Sequence, residues 1–141
     1  MVTTNYLTNL ENLSDQMGVR VRTAPAPGDW WGVYDRRRKL ITLRPKLARW
    51  QYDSTFAHEL GHAYFGHHGH HPKTELLANR WAACRLITFE RLLEHAATTF
   101  DKKALAASLG VMPWVIDAFE ETLTYSQKLV VSERLSECHV A

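Results

Sequence analysis

Residues 58–62 read His-Glu-Leu-Gly-His, and two histidines spaced around a glutamate in this way can carry out metal-dependent chemistry. Residues four apart on an α-helix share a face, so the rings of His58 and His62 can reach one ion. Glu59 lies one position on and tilts away from that face, where its carboxylate can take a proton from water. The His-Glu-x-x-His pattern is typical of zinc metallopeptidases and predicts metal-assisted hydrolysis of a peptide bond.

The sequence around this motif predicts a helix that packs against a core. The segment Asp53-Ser54-Thr55 supplies side chains that commonly cap a helix before its first turn. Gly66 and Gly69 then favour the end of the helix. Apolar residues recur at helical spacing between these limits and predict a buried stripe beside the histidine face: Phe56, Leu60, Ala63 and Tyr64.

A third protein ligand is needed, because catalytic zinc keeps three protein ligands and one open position. His68 lies six residues after His62, as in the metzincin pattern, but Phe65 stands where that pattern needs a glycine. Glu75 opens a second amphipathic segment, residues 75–87, and a carboxylate from a following helix is the gluzincin arrangement. We therefore expect Glu75 to be the third ligand, with His68 as the alternative.

Further polar residues around the motif have weaker assignments. Asn79 lies one turn after Glu75 on the same face, and we expect it to accept the second N–H of a liganding histidine. The histidines of residues 67–71 lie between the two helices, and a mobile polar loop is the expected structure there. Together with Tyr64 and His95, they are the candidates for the group that stabilises a tetrahedral oxyanion.

Two stretches of the chain resemble the ImmA/IrrE metallopeptidases. The first is the motif of residues 58–62, and the second is Glu75-Leu76-Leu77-Ala78-Asn79-Arg80-Trp81-Ala82-Ala83. The second is the more specific, since it is similar to the family segment Glu-x-x-Ala-(Asn/Asp)-x-(Phe/Trp)-Ala-Ala that carries the third zinc ligand. Residues 31–43 are similar to the family's hairpin before the active helix. Residues 86–89 lack the methionine-proline that many members have there, which we interpret as a change of loop.

The resemblance implies a zinc-dependent endopeptidase in which His58, His62 and Glu75 bind Zn²⁺ and Glu59 is the general base. Members of the family are often encoded by phages or other mobile elements, and they act in the cytoplasm on a repressor protein. We therefore expect a DNA-binding repressor as the protein substrate. The alternative is a catalytically silent module that sequesters such a repressor. Glu59 argues against this alternative, since a protein that only binds its partner needs no base.

The composition agrees with a small soluble enzyme. With 141 residues, of which 45% are hydrophobic, one domain can bury a sufficient core. We expect a cytoplasmic protein, because the sequence shows neither a signal peptide nor a stretch of membrane-spanning length. Two cysteines are too few for a disulfide framework, and Cys84 is expected to pack in the second helix as a small apolar group. The net charge of +2 is too small to argue for nucleic acid or an anionic membrane.

The elements that would position these residues indicate an α+β fold, the minimal architecture of a zincin-like peptidase. Residues 6–17 have helical spacing, and a strand is expected at residues 19–23. Residues 30–34 and 39–43 predict two strands of a hairpin around an arginine-rich turn, so the sheet is expected to be small and antiparallel. One hairpin strand is the predicted edge that holds an extended substrate. Its adjacent residues Trp30 and Trp31 point to opposite faces, so at most one of them belongs to the core.

Residues 99–141 predict a helical extension that packs on the peptidase core of residues 1–98, the two forming one compact domain. The segment around Gly110 has the rhythm of a helix-turn-helix. Its second helix has no cation before Lys128 and carries three carboxylates: Asp117, Glu120 and Glu121. Because carboxylates repel phosphates, we expect no direct binding of nucleic acid. The acidic face is instead a candidate docking surface for a basic repressor. The pattern makes no prediction of the oligomeric state.

Overall fold

Seven helices and three strands make up most of the chain that the computed structural model describes: residues 5–67, 69–99 and 101–140, with side chains for residues 9–67, 69–99 and 101–135. In chain order these elements are α1 (Asn5–Gln16), β1 (Arg20–Thr23), β2 (Gly32–Asp35), β3 (Leu40–Leu43), α2 (Arg49–Phe65), α3 (Pro72–Leu86), α4 (Phe89–Ala96), α5 (Lys102–Leu109), α6 (Pro113–Glu120) and α7 (Tyr125–Val140). The fold is α+β, as predicted, and fits a small zincin-like domain. Within the described ranges, no helix has the length and apolar character needed to cross a membrane.

The most apolar strand, β3, forms the centre of the sheet. All four of its residues are buried, and the strand order is β1-β3-β2. β2 runs antiparallel to β3, with Tyr34 opposite Ile41, as the predicted hairpin requires. β1 runs parallel to β3, with Val21 opposite Ile41, so the prediction of an antiparallel sheet is wrong for this strand. The reason is that the buried strand β3 takes the central place, so β1 pairs with β3 and not with β2, which follows it in the chain, and β1 and β3 run in the same direction.

Helix α2 carries the His-Glu-x-x-His motif and begins earlier than predicted. The backbone N–H of Ala48 donates to Gln51 Oε1 at 2.9 Å, and this bond closes the first turn. The predicted cap at residues 53–55 is wrong, because these residues lie inside the helix. Ser54 is buried there, and its Oγ accepts a hydrogen bond of 3.1 Å from the backbone N–H of Met112. A polar residue that looks like a cap in the sequence thus joins α2 to the C-terminal part of the chain.

Helix α3 carries Glu75 and lies very close to α2. α2 ends at Gly66, as predicted, with a φ of 71° that favours glycine. The ring of His71 caps α3 by accepting a hydrogen bond from a backbone N–H of its first turn. A Cβ added at Gly61 would lie 3.0 Å from the carbonyl oxygen of Ala78, so glycine permits this close approach. Cys84, which was expected in the core, is exposed, because its alanine neighbours take the buried positions of α3.

The C-terminal helices pack on the same core as the motif helix. Leu105, Val115 and Ile116 are fully buried and share one hydrophobic cluster with Phe56 and Leu60 of α2. Helix α6 lies against α3, and α7 lies against α4. The cluster therefore contains residues of both the predicted core, 1–98, and the predicted extension, 99–141. The division of the chain into these two parts stays a prediction.

Candidate metal centre

Three side chains from two helices meet at one point. His58 and His62 lie one turn apart on α2, and their Nε2 atoms are 3.1 Å apart. Glu75, in the first turn of α3, reaches both: Oε1 lies 3.2 Å from His58 Nε2, and Oε2 lies 2.8 Å from His62 Nε2. One ligand atom from each of the three groups lies within 4.8 Å of the others, which is close enough to bind a metal ion. The predicted ligands are thus together in space.

The spacing and chemistry of these atoms fit zinc. A tetrahedral zinc ion bound at about 2.0–2.1 Å separates its ligand atoms by about 3.3 Å. The nitrogens of the two histidines are 3.1 Å apart, and His58 lies 3.2 Å from Glu75. Glu75 Oε2 is buried and has no hydrogen-bond partner of standard geometry among the described residues. Because an unsatisfied buried carboxylate oxygen is costly, a cation at this point would satisfy it.

Burial and mutual contacts set the charge of each group. Burial, followed by the charge on His58, lowers the pKa of His62 to about 4, so this ring is neutral near pH 7 and has the lone pair that a metal needs. The hydrogen bond from His58 lowers the pKa of Glu75 to about 2. Burial lowers the pKa of His58, but the hydrogen bond to Glu75 and the nearby carboxylate charges outweigh it, and the net shift is upward. Glu75 is therefore a carboxylate that attracts positive charge.

Glu59 lies beside this point. Only 6% of the residue is exposed, and its Oε2 is 4.0 Å from His58 Nε2. Burial raises the pKa of Glu59 above the usual range for a glutamate, although the charge on His58 and a hydrogen bond from the Tyr34 backbone oppose this shift. A raised pKa suits a general base that works near neutral pH. The structure thus brings the predicted base close to the predicted ligands.

The outer contacts of the two histidines come from Asn79 and His67. Asn79 hydrogen bonds to the ring of His58 and raises its pKa. The geometry of this hydrogen bond is not ideal, because Nδ1 of His58 has no hydrogen-bond partner of standard geometry in the described part of the chain. His62 is held instead by His67, since their Nδ1 atoms are 3.1 Å apart. The signal that could have identified His67 is its place directly after Gly66, where a left-handed turn folds the chain back toward α2.

Two cavities border the centre. One has a volume of about 270 Å³ and lies between Glu59, Glu75 and the start of β2. The other, of about 240 Å³, borders His58 and is walled by Trp114 and other apolar side chains. A larger cavity of about 710 Å³ runs along β1 and α1 and contains none of the ligands. The candidate site therefore lies at the two smaller cavities, because these border the predicted ligands and the predicted base.

The family of the chain follows from comparison with known proteins. The profile of a peptidase family, described as the IrrE N-terminal-like domain, matches residues 14–119, about three quarters of the chain. The chain belongs to this family. No curated protein and no solved structure matches it. The matched residues of this IrrE-like domain include Glu59 and the three candidate ligands, and they extend through Trp114, whose ring lies 5.8 Å from that of His58.

The hairpin strand beside the metal centre is β2. It lies at the edge of the described sheet, whereas its hairpin partner β3 is central. A Cβ added at Gly32 would lie 2.8 Å from Thr55 Cγ2 and 3.4 Å from Glu59 Cγ, so β2 meets α2 next to the base. Trp30 and Trp31 both line the cavity there. Trp30 is 45% exposed and Trp31 is half-buried, so neither belongs to the core of this IrrE-like domain.

Among the predicted candidates for oxyanion stabilisation, His70 lies beside the base. His70 lines the cavity beside the base, and its Nδ1 lies 3.5 Å from Glu75 Oε2. Tyr64 is 57% exposed, and the ring of His95 bonds to a serine of α5; neither side chain lines the two cavities. His68, the alternative third ligand, lies outside the described residues.

Proposed function

We propose that this protein is a zinc-dependent endopeptidase that cleaves one regulatory protein inside the cell, a DNA-binding repressor of a phage or other mobile element. The observation that carries the enzymatic part is the convergence of two imidazole nitrogens and one carboxylate, with a second, buried carboxylate 4.0 Å from His58 Nε2. Two histidines and a glutamate, with a base beside them, suit metal-assisted hydrolysis. Membership of a peptidase family supports the same conclusion.

Each residue of the centre has a distinct role in this proposal. His58, His62 and Glu75 would hold zinc, which would supply a Lewis acid to polarise the scissile carbonyl and lower the pKa of water. Glu59 accepts the proton of the attacking water and later gives it to the leaving amine. His70 lines the same cavity, and we assign it to donate a hydrogen bond to the tetrahedral oxyanion.

The substrate would bind along β2. In the described part of the sheet, β2 pairs with β3 on one side only, and an extended peptide can add to the other edge by backbone hydrogen bonds. Such a peptide would pass both cavities. Their walls include Trp30, Trp31, Met112 and Trp114, which favour apolar side chains next to the scissile bond.

The choice of a repressor as substrate, and of the cytoplasm as its location, comes from the resemblance to the ImmA/IrrE peptidases. The acidic face of α6 adds little support. Glu120 lies 2.7 Å from Lys102 Nζ, and Glu121 lies 2.9 Å from Arg80 Nε. Because these carboxylates are paired, the face offers less negative charge to a basic partner than the sequence suggests.

Cleavage of candidate repressors by the purified protein tests this function. The zinc-loaded wild type should produce discrete fragments that disappear with a chelator and return when zinc is restored. The Glu59→Gln variant should bind zinc like the wild type but cleave at least about 100-fold more slowly, because it lacks the base. Fragments are identified by mass spectrometry, and zinc is titrated against a chromophoric chelator.

Two outcomes would contradict the proposal. Equal cleavage rates for the wild type and Glu59→Gln would reject the assigned base. A stable complex with a repressor, without fragments at any zinc concentration, would favour a module that sequesters its partner.

A further inference from the structure

His67 contacts a metal-binding histidine through the nitrogen that the metal does not use. Its Nδ1 lies 3.1 Å from Nδ1 of His62, and the two ring centroids are 5.3 Å apart at an angle of 66°. The backbone N–H of His67 also donates to the carbonyl oxygen of His62 at 2.9 Å. The two residues are therefore joined through both their backbones and their rings.

The ring of His67 is held in place by its neighbours. Gly66, with its φ of 71°, turns the chain back over the last turn of α2. The ring then stacks on that of Phe65, with centroids 5.2 Å apart and planes at 15°. Stacking and the tight turn together keep His67 next to His62.

Metal binding decides which of the two facing nitrogens carries a proton. Nε2 of His62 faces His58 and Glu75, so the ring would bind a metal through the Nε2 lone pair and keep its proton on Nδ1. That N–H faces His67 Nδ1, which can accept it only with a lone pair. His67 must then be a neutral imidazole with its own proton on Nε2, since two facing N–H groups would repel each other.

We propose that His67 is a positioning residue of the metal centre. It accepts the hydrogen bond from Nδ1–H of His62 and thereby fixes the tautomer and ring plane in which Nε2 faces the ion. Liganding histidines commonly donate this proton to a carboxylate, a backbone carbonyl or water, and here a loop imidazole takes that place. The inference rests on the metal centre of the proposed function and is independent of the substrate.

Zinc affinities of three single variants test the inference. His67→Ala removes the acceptor and should weaken zinc binding about 10–100-fold, the usual cost of losing such a partner. His67→Asn offers an amide oxygen in its place and should stay within about threefold of the wild type. His71→Asn is the matched control: His71 is exposed in the same loop, asparagine keeps the cap of α3, and zinc binding should not change. All affinities are measured by competition with a chromophoric chelator.

The tautomers are read by long-range ¹H–¹⁵N NMR of the zinc-loaded wild type. We expect His62 to carry its proton on Nδ1, and His67 to carry its proton on Nε2 with an unprotonated Nδ1. This measurement responds to the hydrogen bond itself, whereas a role in packing alone would leave the tautomer of His67 unspecified.

Three outcomes would overturn the inference while leaving the proposed function intact. These are wild-type zinc affinity in His67→Ala, equal weakening in His67→Ala and His67→Asn, and a proton on Nδ1 of His67 in the loaded protein. A wild-type protein that binds no zinc would instead overturn the proposed function and this inference together. The affinity of the wild type therefore distinguishes the two failures.

Discussion

At the metal centre, the pKa values of single side chains depend on how far the fold buries them. Burial lowers the pKa of His62 to about 4 and raises the pKa of Glu59, and both shifts suit the roles proposed for them, metal ligand and base. Such burial costs stability unless a partner or a metal compensates it. Asp53 is a second carboxyl on α2 whose pKa burial raises, and it has no part in the proposed chemistry. It therefore allows the cost of burial to be measured separately.

Replacing Asp53 by asparagine should stabilise the protein at neutral pH. Burial raises the pKa of Asp53 despite the opposing charge of Arg49, whose Nε is 3.3 Å from Oδ2. A carboxyl with a higher pKa in the folded state stabilises the fold at low pH, and this contribution is lost as the pH rises through the folded pKa. Asp53→Asn has no charge to bury, so its Tm should exceed that of the wild type by about 1–4 °C at pH 7. The difference should vanish below the ordinary pKa of 3.8.

The Tm values for this comparison are measured from pH 3.5 to 7 on metal-free protein, so that release of zinc does not contribute. Asp15→Asn, at an exposed position of α1, is the control and should change the Tm by less than about 1 °C. A lower Tm for Asp53→Asn than for the wild type at pH 7 would show that pairing with Arg49 outweighs burial.

Two elements, α3 and β2, approach α2 closely, and a glycine permits each contact: Gly61 of α2 and Gly32 of β2. Gly61 lets α3 come close enough to bring Glu75 to the histidines, and a Cβ there would lie 3.1 Å from Ala78 Cα. Gly32 lets β2 come close enough to bring the proposed substrate edge to Glu59. The geometry of the site thus depends on the distances between elements as well as on the ligands.

Gly32→Ala should lower the free energy of unfolding by about 1–3 kcal/mol, the usual cost of overpacking. Its Cβ would lie 2.8 Å from Thr55 Cγ2 and 2.9 Å from Leu43 Cδ2, so β2 would have to move away from α2. Thr55→Ser removes Cγ2 and should recover part of the loss in the double variant. Urea unfolding of the two single variants and the double variant measures this coupling. A double variant that loses the full sum of the two single losses would mean that the Thr55 methyl group does not limit the approach.

For the whole molecule, one hydrophobic cluster connects the metal centre to the C-terminal helices. Phe56 and Leu60 of α2 share this cluster with Ile116 and Phe119 of α6. On the surface of the cluster, the ring of Trp114 packs edge-on to His58. The helices after residue 99 therefore help to hold the site, and unfolding of the metal centre and of these helices should be coupled.

Ile116→Ala should lower the free energy of unfolding by about 2–5 kcal/mol, because Ile116 is fully buried and its loss leaves a cavity. Since the cluster is continuous, loss of helix by circular dichroism and release of zinc should both shift to lower urea by the same amount. Tyr125→Ala, at an exposed position of α7, is the control and should change stability by less than about 0.5 kcal/mol. Zinc release in Ile116→Ala at wild-type urea concentrations would show that the core holds the metal without the C-terminal helices.

The residues that can do the chemistry, and the elements that carry them, could be predicted from sequence patterns alone. The spacing of His58, Glu59 and His62 places them on one helix, and Glu75 lies in the first turn of the next. These features depend on contacts between residues that are close in the sequence. Apolar periodicity and turn residues such as Gly66 indicate such contacts. The α+β class and the hairpin of β2 and β3 follow in the same way.

The packing partners of these elements could not be predicted in this way and are seen in the folded chain. β1 pairs with β3 in parallel, and Cys84 is exposed. Ser54 lies inside the helix that it was expected to cap, and its Oγ accepts a hydrogen bond from Met112. His67, which the sequence did not single out for this role, lies beside His62, with the two Nδ1 atoms 3.1 Å apart. Each of these results depends on contacts between segments that are distant in the sequence, and on the polar groups that need a hydrogen-bond partner after packing. Local sequence patterns do not contain that information, because packing between elements overrides local preference.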